Sequence, residues 1–148
     1  MGLALTTITD SIAGLTVTGL TIKDIDEIPL TWEGRAHVIY PEPVDFLTEF
    51  DAQPATFGTG STRAWDVTYP MRYTLLYAEV SAGRGMELFK PTIDLALDFM
   101  DAIIALTTIT GSVTLKPGTI STPGPVTDPS GTPFFGCHIT VRVLEFVN

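Results

Sequence analysis

Few side chains in this sequence are of the types that do chemistry, and their spacing limits what they can do together. His37 and His138 are the only histidines, and Cys137 is the only cysteine. A transition-metal site needs several convergent nitrogen, sulfur or oxygen ligands. Cys137 and His138 are adjacent in an alternating segment, where neighbours point to opposite faces. One metal therefore cannot take both, and the expected arrangement is a core cysteine beside a surface-facing histidine. The glycine-rich stretches Gly58-Thr59-Gly60-Ser61-Thr62 and Gly83-Arg84-Gly85 lack the lysine of a phosphate-binding loop. They read as a flexible loop and a turn. No Gly-x-Ser-x-Gly elbow occurs. A single cysteine also excludes an intramolecular disulfide.

The carboxylates form two groups. Asp94, Asp98 and Asp101 recur at helical spacing, which places them on one face of a helix. Such a row is ordinarily a solvated face, and aspartate near a helix N-terminus suits the macrodipole. If copies of the chain assemble, the row is placed to meet a neighbour's Arg63, Arg72 or Arg84. Asp45, Glu49 and Asp51 share one long loop; an enzyme built on them would need a pocket in which their pKa values are perturbed. Tyr69, Tyr73 and Tyr77 recur every four residues, so they share one face of a strand, with Trp65 in the same register. An exposed row would make a stacking platform for nucleic acid. The charge argues instead for packing under a helix or against another subunit. No residue is assigned a catalytic, cofactor-binding or metal-binding role, and the protein is not expected to be an enzyme.

Lys plus Arg total 8 and Asp plus Glu 17, giving a net charge of −9. Tight binding to duplex DNA rests on neutralising phosphates, so this chain is not expected to bind it. An acidic channel would let DNA slide past without sticking. Hydrophobic residues make up 45% of the 148 residues and mean hydropathy is +0.30. No apolar run is long enough to span a bilayer. The excess apolar surface must go into a core or into contacts with neighbours. The N-terminus lacks a basic n-region, so neither a signal nor a transit peptide is expected.

The elements follow from periodicity. Gly2 to Ala13 has Leu5, Ile8 and Ile12 at near-helical spacing, with Gly14 as a stop. Leu15 to Ile25 alternates and reads as a strand. AHVIY over Ala36–Tyr40 is a short strand closed by Pro41 and Pro43. PVDFLTEFDAQPATFGTGS, residues 43–61, is a long loop holding Asp45, Phe46, Glu49, Phe50 and Phe57; three phenylalanines argue against a purely solvated linker. Thr62 to Val80 is a long strand in which Pro70 marks a bulge, bend or edge. A helix begins at Pro91, with Met86–Lys90 as a separate lead-in. One apolar line is Ile93, Leu97, Met100 and Ile104; its neighbour is Ala96, Phe99, Ile103 and Leu106. GSVTLKPGTI over Gly111–Ile120 is a strand interrupted by Pro117-Gly118. STPGPVTDPSGTP, residues 121–133, is a second loop. FFGCHITVRVLEF alternates Cys137, Ile139, Val141 and Val143 against His138, Thr140, Arg142 and Leu144. The expectation is one α+β domain over 1–148. It has a mostly antiparallel sheet of four to five strands, two helices packed on one face, and long loops at 43–61 and 121–133.

The order of these elements resembles the tail terminator (tail-to-head joining, or minor tail) proteins of long-tailed bacteriophages. The resemblance is carried by Tyr69–Gly85, by the helix Pro91–Leu106 and by the closing FFGCHITVRVLEF. It implies a structural virion protein, located in the tail or neck and assembled in the host cytoplasm. Such a protein forms a ring, typically of six copies, that caps the tail tube at its head-proximal end. Its implied partners are other copies of itself, the tail tube protein and a neck or connector protein, with DNA passing through the lumen without specific binding. No cofactor and no membrane are implied. Candidate contacts are Asp45, Phe46, Glu49, Phe50, Phe57, Arg63, Trp65, Arg72, Arg84, Asp94, Asp98 and Asp101. Other readings are a stopper, adaptor or tube protein of the same particle, or a small α+β protein-binding module.

Overall fold

A computed structural model describes residues 4–26, 37–42, 50–54, 65–79, 85–106, 109 and 113–147. In chain order the elements are α1 (Leu5–Ala13), β1 (Thr21–Ile22), β2 (Val38–Pro41), β3 (Asp51–Pro54), β4 (Trp65–Glu79), α2 (Gly85–Ala105), β5 (Val113–Ile120), β6 (Gly124–Thr127) and β7 (Pro133–Val147). The class is α+β. One mixed sheet runs β1-β2-β4-β7-β5, with β3 added to β4 and β6 added to β7. All pairings are antiparallel except β1 with β2.

The two fifteen-residue strands β4 and β7 pair along their whole lengths, Trp65 opposite Val147 at one end and Glu79 opposite Phe134 at the other. They can do so because both carry period-two apolar patterns. Val67, Tyr69, Met71, Tyr73 and Leu75 of β4 are buried on one face, with Cys137, Ile139, Val141 and Val143 of β7. Ile8 and Ile12 of α1 and Ala96, Phe99, Met100 and Ile103 of α2 belong to the same buried cluster. The Tyr73 and Phe99 rings lie 5.4 Å apart. The tyrosine row thus faces the interior: Tyr69 and Tyr73 are fully buried, and Tyr77 stacks on His37 at 4.4 Å. A smaller cluster of Val38, Tyr40, Leu76, Val126 and Phe134 closes part of the opposite face.

Several elements differ from the sequence expectations. The helix α2 begins at Gly85, and Pro91 lies inside it, past the first four residues whose N–H groups have no intrahelical partner, so its missing N–H costs the bond that the Glu87 carbonyl would otherwise accept. Only Thr21–Ile22 of the expected 15–25 strand is a strand; Val17 and Leu20 form an isolated bridge. The expected 43–61 loop contains β3, paired to the start of β4; its other residues, 43–49 and 55–61, lie outside the described set. The expected 121–133 loop contains β6, paired to the start of β7, followed by a turn in which the Asp128 carboxylate accepts from the backbone N–H groups of Ser130 and Thr132. Both strands are short and exist because a long neighbour offers an unpaired ladder. Pro70 falls between the stretches of β4 that pair with β3 and with β2, where a missing N–H costs no ladder bond on that side. The bulge occurs instead at Leu76/Ala78.

Candidate functional site

Two surfaces of this fold carry side chains that local packing does not explain. The first is on α2. The line Ala96, Phe99 and Ile103 is buried, but the neighbouring line is not: Leu97 is 48% exposed and Ile104 51%, while Met86, about three turns upstream of Leu97, is 91% exposed. Met100 alone of that line joins the core. The two apolar lines differ in this way because a helix on a sheet buries only the arc that faces the sheet. Beside this apolar strip runs an acidic crest of Asp94, Asp98 and Asp101, all exposed. Lys90 bonds Asp94 at 2.8 Å one turn away, and Asp94 raises the ammonium's pKa.

The second surface is the face of the sheet turned away from the main core. On β7 it presents Arg142, Leu144 and Phe146, the last 44% exposed. The register puts Lys116 of β5 directly opposite Arg142, and Thr114 opposite Leu144. Two exposed cations as direct cross-strand neighbours repel one another. Leu144 and Phe146, with Asp66, Thr68 and Thr114, line a groove of about 420 Å³.

Further along this face a polar cluster joins β4 and β7 to Glu42, the residue that follows β2. Arg72 Nη2 lies 3.2 Å from Glu42 Oε2 and 3.4 Å from His138 Nε2. The Thr74 hydroxyl donates to Glu42 Oε1 at 2.5 Å and lies 3.0 Å from His138 Nδ1. Because the hydroxyl's one proton goes to Glu42, His138 Nδ1 must donate to it. Nε2 then accepts from Arg72. His138 is therefore half-buried and held as one tautomer, rather than turned freely to solvent. Thr74 is fully buried, so it offers no nucleophile to a substrate.

On the inner face Glu145 is almost fully buried and both its oxygens are used: Tyr69 Oη donates at 2.9 Å and the Ala4 N–H at 2.7 Å. Burial, followed by the hydrogen bond to this carboxylate, pushes the Tyr69 phenol up. Cys137 is buried, which raises its thiol to about 11. Among the described residues no group of three or more His, Cys, Asp or Glu is placed to hold a metal.

The sequence-selected residues separate as follows. Asp94, Asp98 and Asp101 share one exposed crest. Phe50 and Trp65 are partly exposed at the β3 end of the sheet, Phe50 stacking on Tyr69 at 6.1 Å. Arg72 is partly exposed and lies 3.2 Å from Glu42 of its own chain. Asp45, Phe46, Glu49, Phe57, Arg63 and Arg84 lie outside the described residues. Sequence reasoning missed Lys116, Arg142 and Glu145. For Glu145 the signal was present: it continues the inward parity of Cys137, Ile139, Val141 and Val143.

No protein-family model matches the chain, and neither does any curated protein. No helix of the described residues is long and apolar enough to cross a membrane.

Proposed function

We propose that this chain is a structural virion protein, a tail terminator whose copies form a ring, of six by the family pattern, on the head-proximal end of a phage tail tube. The observation that carries this reading is the exposed apolar strip of α2. A helix that is solvated on its outer side should not expose Leu97, Ile104 and Met86 beside a deliberate row of aspartates. The order of elements supports it, as does the layout we infer, in which both helices lie on one face of the sheet and leave much of the other face open. The ring would meet the tube protein on one side and a neck or connector protein on the other. Its acidity suits a lumen through which DNA passes without specific binding. A stopper, adaptor or tube protein of the same particle would share this strip, and so would a small protein-binding module.

The reading has a direct test. Light scattering across a dilution series, then negative-stain imaging with and without tail tubes, should show a closed ring, or a monomer that becomes a ring on tube ends. A chain that stays monomeric and never joins a tube would instead be a binding module.

A further inference from the structure

We infer that copies of this chain associate head to tail, the α2 ridge of one copy seating in the outer groove of the β4–β7–β5 sheet of the next. The inference rests on the ring-forming reading above and adds the two surfaces that make the contact. Each surface is incomplete alone. The ridge offers an apolar strip, Leu97 and Ile104, beside an acidic crest, Asp94, Asp98 and Asp101. The groove offers Leu144 and Phe146 beside the cation pair Lys116 and Arg142, which have no carboxylate partner among the described residues. Apolar meets apolar and acid meets base in a single orientation. The reverse orientation would set the aspartates against Asp66 at the far side of the groove.

The ridge faces away from the core on the helix side, and the groove faces away from it on the sheet side. A copy thus presents two different, complementary patches. Such a contact is heterologous, and it either closes as a ring or continues as a filament. It is not the isologous contact of a two-fold dimer.

The test is a complementation of two one-sided variants. Leu97→Glu spoils the ridge, and the double change Lys116→Glu with Arg142→Glu spoils the groove. All three positions are exposed, and far-UV circular dichroism and Tm verify folding; Ile104→Lys and Phe146→Gln are substitutes for any variant that does not fold. Wild-type chain should gain mass with concentration. Each variant alone should stay at the mass of one chain, 16.0 kDa. An equimolar mixture keeps one good ridge and one good groove, so it should stop at the mass of two chains. Wild type at one-chain mass at every concentration overturns the inference, as does a mixture that stays at one-chain mass. Variants that assemble like wild type also overturn it, and they leave the ring reading standing on other surfaces. Wild type and variants that behave as expected, but never join tail tubes, preserve the contact and sink the terminator reading.

Discussion

Tyr69 and Glu145 are bound to one another inside the core, Tyr69 Oη donating to Glu145 Oε2 at 2.9 Å. They lie on adjacent strands, diagonal across the β4–β7 ladder. The second oxygen of Glu145 accepts the Ala4 N–H, just before α1. Ala4 is a poor N-cap with no side-chain oxygen of its own. A strand carboxylate distant in sequence takes over that task, and its charge suits the positive end of the helix. The same carboxylate thus ties helix and sheet together.

Tyr69→Phe should therefore destabilise the protein by about 1.5–3 kcal/mol, the usual range for a buried hydrogen bond to a charged group. Glu145→Gln should cost less than Glu145→Leu, since the amide oxygen can still accept from Ala4. Urea denaturation of the single and double variants measures this. Additive effects of Tyr69→Phe and Glu145→Leu would show that the two groups are not coupled.

Asp10 on α1 and Asp24 in the following loop share a hydrogen bond between carboxyl groups. That bond, with lesser contributions from burial and from the charges of Asp24 and Asp26, raises Asp10 above 3.8. Burial alone would raise Asp24 too, but hydrogen bonds from Asp10, the Ile25 N–H and Thr9 outweigh it and lower Asp24. The raised group adds stability below its folded pKa, which is lost as pH rises through that value. The lowered group adds stability above the ordinary carboxylate range, which is lost as pH falls through its depressed value. The pair is best satisfied between the two, with one proton shared. Asp10→Asn supplies a permanent donor, so it should raise Tm at pH 7 and flatten the wild type's gain in Tm on mild acidification. Equal pH profiles for variant and wild type would exclude the shared proton.

These relationships were unevenly legible in the sequence. The burial pattern of β7 was readable because one face packs on the core, which forces a period of two. The line Ala96, Phe99 and Ile103 was readable for the same reason at a period of 3.6. The exposure of Leu97 and Ile104 was not, because an apolar residue reads alike whether its own sheet or another copy covers it. Lys116 and Arg142 are 26 residues apart in sequence, and only the register brings them together. The strands β3 and β6 hide in proline- and glycine-rich stretches whose local preference is for turns; pairing with β4 and β7 overrides it.

Gly136 is required by close approach rather than by an unusual φ. A Cβ there would run into the Leu75 carbonyl oxygen on β4 and press on Val126. The contact is with backbone, which a rotamer change cannot relieve. Gly136→Ala should lower stability by about 1–3 kcal/mol, as overpacking does, with the shift centred on the β4–β7 bulge at Leu76/Ala78. Chemical denaturation gives the size and amide chemical shifts the location. An unchanged midpoint would mean that the strands can separate there at no cost.

His138 carries the last expectation. The Thr74 hydroxyl has one proton, directed at Glu42, so the ring must place its own proton on Nδ1. Nitrogen-15 correlation spectra of the imidazole at neutral pH should show Nδ1 protonated and Nε2 bare, the rarer arrangement for a solvated histidine. Thr74→Val removes the acceptor and the reason for that tautomer, so the ring in the variant should shift toward the Nε2-protonated form. It should also lose about 1–3 kcal/mol of stability, because Glu42 and His138 are left short of partners in a partly buried place. Glu42→Gln should keep the fold with a smaller loss and let the hydroxyl proton reorient. A histidine already protonated on Nε2 in the wild type would break the cluster at the Arg72 contact, since two donors would then face one another.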